Sequence, residues 1–310
     1  MIKRTLYFGN PAYLSLSNAQ MLLRLPEVEK SDELPETFKK EATRNFPIED
    51  IGVLVLDHKQ ITITQALLAA LLENNVAVIT CDDRRHPVGL LYPLEGHTEH
   101  TERLRWQLEA TLPLKKNLWQ QTVQQKIINQ ASVLRRIGID TENMMHWSRS
   151  VRSGDTENHE ARAAAYYWKN IFPGELDFKR EREGMAPNNL LNYGYAILRA
   201  VVARGLVASG FLPALGIHHR NKYNAYCLAD DIMEPFRPFV DLLVREIVMS
   251  GKDYEELTKE LKGELLGIPA MEINLDGERS PLMVGLQRTT ASLARCFSGE
   301  SRRIIYPEFL

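Results

Sequence analysis

The hydrophobic pattern of this 310-residue chain changes its period near residue 95, and this change limits the possible folds most strongly. Before it, short runs of β-branched and aromatic residues alternate with turn signals such as Gly9-Asn10-Pro11, which is typical of strands. After it, apolar residues recur every three or four positions, which is typical of helices. We therefore predict an α+β protein, with a β-rich domain over residues 1–95 and a larger all-α domain over residues 96–310.

The same patterns predict the individual elements. In the first domain a helix at 65–74 has Thr64 as its N-cap, and the polar segment 27–45 is expected to be an exposed or mobile insertion. The predicted strands are 2–8, 13–16, 20–25, 51–57, 60–64, 76–80 and 88–92. The predicted helices of the second domain are 101–112, 114–137, 156–172, 188–209, 236–249, 254–266 and 281–297.

Composition excludes several classes of protein. Hydrophobic content of 44% and charged content of 25% are typical of a globular protein, and no apolar run is long enough to span a membrane. The chain opens without an apolar core of secretory length, so a cytoplasmic location without membrane contact is expected. Three widely spaced cysteines predict neither a zinc site nor a disulfide framework. The formal net charge of −2 means that any binding of nucleic acid must depend on local basic patches.

A histidine pair followed by three carboxylates is the strongest chemical signal in the chain. His218 and His219 precede Asp230, Asp231 and Glu234. On a helical turn the acids would share a face, and a cation would relieve their repulsion. Carboxylates with one imidazole suit Mg²⁺ or Mn²⁺ better than zinc. Adjacent side chains of an extended segment point to opposite faces, so we expect only one of the two histidines to face the site.

A further carboxylate is available from a different helix. Glu160 lies early in the predicted helix 156–172, from which it would reach the same ion. An acid in the first turn also suits the helix dipole, so an ordinary N-terminal charge is the alternative. For the later acids the alternative is an exposed capping cluster before Pro235 that pairs with Arg237.

Basic residues lie close to these candidates in the sequence. Cations of this kind bind phosphate backbones, and they include Arg162, Arg220, Lys222 and Arg237. Their clustering near the predicted metal site favours DNA as the substrate.

Four segments form an ordered set of motifs: residues 158–168 (NHEARAAAYYW), 188–200 (NNLLNYGYAILRA), 215–219 (LGIHH) and 231–238 (DIMEPFRP). In this order and spacing they resemble the CRISPR-associated endonuclease and integrase family of spacer acquisition. The opening segment 6–15 (LYFGNPAYLS) resembles members from type II systems, which use a single RNA-guided effector.

The resemblance implies a fold, an activity and partners. The fold is an N-terminal β-sandwich-like dimerisation domain followed by a helical catalytic domain. The activity joins the 3′-hydroxyl ends of protospacer DNA to the CRISPR repeat by transesterification. The partners are a second copy of the chain and a small ferredoxin-like adaptation protein in a heterohexamer-type complex, with the RNA-guided effector nuclease as a further candidate.

The resemblance also implies the roles of the site residues. Glu160, His219 and Glu234 would be the catalytic residues and the ligands of Mg²⁺ or Mn²⁺. Asp231 would be a supporting acid, and His218 would lie behind the ligands or have a structural role. Two alternatives remain open at this point. One is a stand-alone metal-dependent nuclease for branched or single-stranded DNA, and the other is a non-catalytic scaffold in which the acids are caps.

Overall fold

The computed structural model describes residues 3–309 apart from 32–34, 36, 38, 40 and 41. The chain divides into two compact units, Met1–Leu94 and Glu95–Leu310. Residues 32–34, 36, 38, 40 and 41 of the segment 27–45, which was predicted to be an exposed or mobile insertion, lie outside this description. Near its two ends the structure shows the short helix α1 (Pro26–Glu29) and the beginning of β4 (Arg44–Pro47).

Besides α1, the described residues of the first unit form two four-stranded sheets and a longer helix, α2 (Gln65–Glu73). The strand orders are β1-β5-β7-β8 and β4-β3-β2-β6. All seven predicted strands are present, and β4 was not predicted. The strands are β1 (Arg4–Phe8), β2 (Ala12–Ser17), β3 (Gln20–Arg24), β4, β5 (Ile51–Leu56), β6 (Ile61–Ile63), β7 (Ala77–Cys81) and β8 (Pro87–Leu91).

A shared apolar core joins these elements of the first unit. Leu14 and Met21 come from one sheet, Leu54 and Val78 from the other, and Leu67 from α2, and each is at most 1% exposed. Burial of an aliphatic side chain of this size stabilises a fold by roughly 1.5–3 kcal/mol. Both sheets therefore face one core, as period-two alternation of apolar residues requires.

The second unit is mostly helical. The predicted helices are present, and two short ones, α5 and α8, were not predicted. The helices are α3 (His100–Glu109), α4 (Leu112–Arg136), α5 (Glu142–Ser150), α6 (His159–Asn170), α7 (Asn188–Ala208), α8 (Cys227–Met233), α9 (Arg237–Met249), α10 (Lys259–Leu265) and α11 (Leu282–Ser298). The predicted helix 254–266 begins later, because Thr258 accepts the amide hydrogen of Leu261 and caps α10 there.

One hairpin departs from the prediction of an all-α second unit. Strands β9 (Glu272–Leu275) and β10 (Glu278–Pro281) pair in antiparallel fashion. The connecting residues Asp276 and Gly277 have φ of 53° and 82°, the left-handed conformation that a tight hairpin turn requires. Asp-Gly between two short runs is a recognisable hairpin signal, so this element was available in the sequence.

Two long helices form the centre of the second unit. By length and composition α7 would be able to cross a membrane, but 83% of its most apolar window is buried inside the protein, as in the core helix of a globular domain. Helix α4 contacts α6, α9 and the 3₁₀ turn Glu234–Phe236. Helix α4 therefore connects the segments that carry the predicted site residues.

Candidate active site

A turn over residues 216–219 is held against α8 by one buried carboxylate. Asp231 is 0% exposed and accepts hydrogen bonds from the amides of Ile217 (2.7 Å) and His218 (2.9 Å). It also accepts two from His219, from the amide at 3.2 Å and from ring Nδ1 at 2.5 Å. A Cβ on Gly216 would lie 2.7 Å from Asp231 Oδ2 and 2.4 Å from the His219 carbonyl oxygen, so only glycine fits. Asp231 therefore fixes both the turn and the imidazole.

The two histidines have different surroundings. The hydrogen bond to Asp231 raises the pKa of His219, whose side chain is 45% exposed. Because Nδ1 donates to the carboxylate, Nε2 is the nitrogen left to contact a ligand. His218 is also exposed, but one face of its ring stacks on Trp119, with centroids 4.1 Å apart and planes within 5°, and this partial burial lowers the pKa of His218. His218 is therefore a packing residue, and His219 presents a polar edge.

Glu160 lies in the first turn of α6, which a neighbouring acid caps. Asp155 accepts the amide hydrogens of His159 and Glu160, each at 3.0 Å, through its two carboxylate oxygens. Asn158 has left-handed φ of 56° and makes no side-chain cap bond. The cap fixes the backbone of Glu160, whose side chain is 27% exposed and reaches α4. Asp155 was not singled out in the sequence, although acids at helix N-termini are common.

Glu234 lies in the 3₁₀ turn between α8 and α9 and is 6% exposed. Arg237 Nε approaches Glu234 Oε1 to 2.8 Å as an ion pair. Burial alone would raise the pKa of Glu234, but Arg237 and Lys126 outweigh it and hold this pKa at about 2. The carboxylate is therefore ionised at neutral pH.

The two predicted glutamates meet at a lysine. Lys126 Nζ on α4 lies 2.6 Å from Glu160 Oε1 and 2.6 Å from Glu234 Oε2, and its side chain is 12% exposed. Burial would lower the pKa of Lys126, but Glu234 and Glu160 raise it above its usual value. A signal existed in the sequence, because Lys126 follows Trp119 and Val123 at helical spacing on a buried face. A cation at a buried position indicates a buried acid as its partner.

The donors of this site suit a hard divalent cation through the two carboxylates. Glu160 and Glu234 already touch one cationic atom, so a single ion is able to contact both carboxylates. Within the described part of the chain, no three His, Cys, Asp or Glu side chains converge into a ready cluster. His219 is bound to Asp231 instead, although the charges of His219 and Glu234 influence each other. The role of His219 as third ligand stays a prediction.

Three of the four cations predicted to bind DNA are exposed. They are Arg162, Arg220 and Lys222. The last two line an open pocket of about 390 Å³ together with Lys115 and His219. None of the described residues that line this pocket is acidic. The pocket is therefore electropositive and lies directly beside the predicted imidazole ligand.

Arg237, the fourth predicted DNA contact, belongs to a network behind Glu234. Its guanidinium lies 4.5 Å from the ring centroid of Tyr195. The hydroxyl of Tyr195 donates to Asp241 Oδ1, and that of Tyr167 donates to Oδ2 at 3.0 Å. Burial raises the pKa of Asp241 to about 7. Asp241 was not among the predicted site residues, and the role of Arg237 in DNA binding stays a prediction.

Comparison with known proteins decides the family. The family described as CRISPR associated protein Cas1 matches residues 27–266. The chain is 36% identical, over its whole length and 97% of the relative, to the CRISPR-associated endonuclease Cas1 of Neisseria meningitidis serogroup C (strain 8013). The chain belongs to the Cas1 family. A Cas1-family relative from Pyrobaculum aerophilum, CRISPR-associated endonuclease Cas1 2, is 28% identical over 83% of this chain and 90% of its own length. The resemblance inferred from the motifs is confirmed.

Solved structures show the same fold at low sequence identity. A casposase bound to its integration product matches with a TM-score of 0.77 at 19% identity, over 98% of this chain and 92% of that chain. A Cas1 protein from Thermotoga maritima matches with a TM-score of 0.72 at 14% identity, over 96% of this chain and 97% of that chain. A chain of a Cas6-RT-Cas1–Cas2 complex matches with a TM-score of 0.73 at 19% identity, over 99% of this chain and 36% of that chain. The predicted α+β class is confirmed.

Proposed function

We propose that this Cas1-family chain is a metal-dependent DNA endonuclease and integrase of CRISPR adaptation. The observation that carries the proposal is the meeting of Glu160, from α6, and Glu234, from the 3₁₀ turn after α8, at one cation position. Two comparisons support it. Relatives in the family are named endonucleases, and a casposase with an integration product has the same fold.

The site residues have distinct tasks in this reaction. Glu160, Glu234 and His219 would hold Mg²⁺ or Mn²⁺, which when bound stabilises negative charge on the oxygens around the reacting phosphorus. Asp231 holds the His219 ring through Nδ1 and so keeps Nε2 directed away from itself. The 3′-oxygen of the protospacer forms a new bond to a repeat phosphorus, and the bond from that phosphorus to the leaving 3′-oxygen breaks. The attacking hydroxyl gives its proton to water, and the leaving 3′-oxygen takes up a proton from water to become a new 3′-hydroxyl. The protein supplies no covalent nucleophile.

The electropositive pocket beside His219 supports DNA as the substrate. Lys115, Arg220 and Lys222 line it, and Arg162 is exposed on α6 one turn or less from Glu160. Cations of this kind position a phosphate backbone without reading its sequence. Discrimination among DNA sequences would then come from DNA deformation and from partner proteins.

The proposed partners follow from the family. We expect a homodimer formed through the β-rich unit, and a heterohexamer-type complex with a small ferredoxin-like adaptation protein. The fold match to a chain of a Cas6-RT-Cas1–Cas2 complex supports such a partner. An RNA-guided effector nuclease is a further candidate, and a cytoplasmic location is expected.

Strand joining tests the proposal. The protein, with and without its small partner, is incubated with Mn²⁺, an end-labelled DNA duplex and a supercoiled plasmid that carries a CRISPR repeat. Transfer of label to the plasmid is expected for wild type, and a duplex with 3′-dideoxy ends should give none. Glu160→Gln and Glu234→Gln should abolish transfer. Glu142→Gln removes an acid from the first turn of α5 instead and should leave transfer unchanged.

Each other result points to an alternative function. Strand cutting without transfer would indicate a stand-alone nuclease, since hydrolysis uses water in place of the 3′-hydroxyl. Absence of metal-dependent chemistry in wild type, with and without the partner, would indicate a non-catalytic scaffold. Full activity of Glu160→Gln would contradict the assignment of the site.

A further inference from the structure

Lys126 stands where a cation between the two glutamates would stand. Its Nζ lies 2.6 Å from an oxygen of Glu160 and 2.6 Å from an oxygen of Glu234. We propose that Lys126 is an internal placeholder for the divalent cation: its ammonium holds the two carboxylates together in the metal-free protein and is displaced from them when the cation binds. The inference rests on the metal site of the proposed function.

The negative charges of the two glutamates are balanced by two cationic side chains before any metal binds. Glu160 and Glu234 contribute two negative charges, and Lys126 and Arg237 contribute two positive ones, each within ion-pair distance of a glutamate. Lys126 and Glu234 are largely buried, with side-chain exposures of 12% and 8%. Charge interactions between buried groups are stronger than those in water. A divalent cation therefore gains little attraction from this set until the ammonium leaves it.

The lysine and the divalent cation compete for the same oxygens. Mg²⁺ binds carboxylate oxygens at about 2.0–2.1 Å. An ammonium 2.6 Å from the same two oxygens would then be in contact with the ion, and the two positive charges would repel each other. Lysine suits a displaceable role, because its compact charge sits on a flexible four-carbon stem. Only that stem has to move, while α4 keeps its packing.

A lysine that permanently bridges the two glutamates would have the opposite effect on metal binding. If Lys126 were needed to hold Glu160 and Glu234 in position for the metal, its removal would weaken metal binding. If Lys126 is a placeholder, its removal strengthens metal binding and destabilises only the metal-free protein, in which two carboxylates repel each other. The affinity for the metal alone separates these two cases.

Metal binding without DNA tests the inference. Protein stripped with EDTA is titrated with Mn²⁺ by calorimetry, and thermal unfolding is followed with and without Mn²⁺. Lys126→Met is expected to bind Mn²⁺ at least about tenfold more tightly than wild type. Its Tm should be lower than that of wild type in EDTA and should rise more on addition of Mn²⁺. Lys116→Met removes an exposed lysine from the same helix and should behave as wild type.

A second variant keeps the test available if Lys126→Met does not fold without metal. Lys126→Gln has a neutral amide that is still able to donate to the carboxylates, and it should also bind Mn²⁺ more tightly than wild type. If wild type binds Mn²⁺ and both Lys126 variants bind it equally or more weakly, Lys126 is not a placeholder. The assignment of the metal site would be unaffected by that result. Absence of Mn²⁺ binding in wild type and in all variants would overturn the metal site and the placeholder together.

Discussion

Asp231 binds His219 twice, through the backbone amide and through ring Nδ1, and both bonds end on the same carboxylate oxygen. Asp231 is completely buried, so its charge is compensated by these bonds and by two further backbone amides. A buried carboxylate with several N–H donors is a rigid support. The position of His219 is therefore set by Asp231.

Asp231→Asn should lower both stability and the pKa of His219. The amide oxygen is a weaker acceptor, and charge-assisted bonds contribute more than neutral ones, so we expect a loss of about 2–3 kcal/mol in the free energy of unfolding. NMR titration of the imidazole in EDTA would follow the pKa. Asp230→Asn removes the same charge from a residue that pairs with Arg199, and it should lower this pKa less. An unchanged pKa in Asp231→Asn would contradict the assigned support.

Gly216→Ala should disturb the turn that carries His219. The added methyl would lie 2.4 Å from the His219 carbonyl oxygen, and an overpacked site of this kind costs about 1–3 kcal/mol. Strand joining should fall with stability. Gly263→Ala is the matched control, because nothing lies within 4 Å of a Cβ there and the residue is inside α10. That variant should be stabilised by up to about 1 kcal/mol. Equal stability of the two variants in urea denaturation would contradict this account.

Asp241 should make the stability of the protein depend on pH. Burial raises its folded-state pKa to about 7, above the unfolded value of about 3.9. The stabilisation is therefore fully present below about pH 4 and is lost as the pH rises through about 7. The loss is on the order of 4 kcal/mol from a shift of this size. Tyr195 and Tyr167 donate to the carboxylate, and Arg237 and Arg180 act on it as charges.

The measurement is the difference in unfolding free energy between wild type and Asp241→Asn. Because the variant cannot ionise at this position, the stability of wild type relative to the variant should decline between pH 4 and 7. A difference that stays constant over this range would show that the carboxylate does not titrate there. Comparing the two proteins cancels the contributions of groups that they share.

Asn129→Ala should destabilise the protein and reduce strand joining. Asn129 is 0% exposed, and its amide donates to the carbonyl oxygens of Pro235 (2.7 Å) and Pro307 (2.9 Å). Loss of both bonds leaves two acceptors without this donor, which we expect to cost about 2–4 kcal/mol. Pro235 follows Glu234 directly, so the site should loosen as well. Asn117→Ala on the exposed part of α4 should cost less than about 1 kcal/mol in the same denaturation experiment.

The exposed cations Arg220 and Lys222 and the partly buried Arg237 should respond differently to substitution. Arg220→Ala and Lys222→Ala should weaken DNA binding and each reduce the slope of log affinity against log salt by about one, with little change in stability. Arg237→Ala should destabilise the fold by about 3–5 kcal/mol, because it removes a partner of the buried Glu234. Salt-dependent fluorescence anisotropy and urea denaturation measure the two effects. An unfolding free energy of Arg237→Ala equal to that of wild type would contradict the assigned ion pair.

Local sequence patterns were sufficient for most of the fold. Thr64 and Thr258 cap helices through amides three residues later, and the helical period of α4 and α7 depends on residues three and four positions apart. Strand β4 was missed, since a short strand gains its stability from the strand beside it. The β9–β10 hairpin was missed although its Asp276-Gly277 turn signal is present in the sequence. The order of the four motifs was enough to indicate the family.

The sequence by itself determined the helical and strand periods, the family and the chemical identity of the candidate donors. Only the tertiary structure decided that Lys126 stands between Glu160 and Glu234 and that Asp231 holds His219. The reason is physical: periodicity and caps arise between near neighbours in the chain. An ion pair between separate helices depends on how their faces pack, and no local pattern contains that packing.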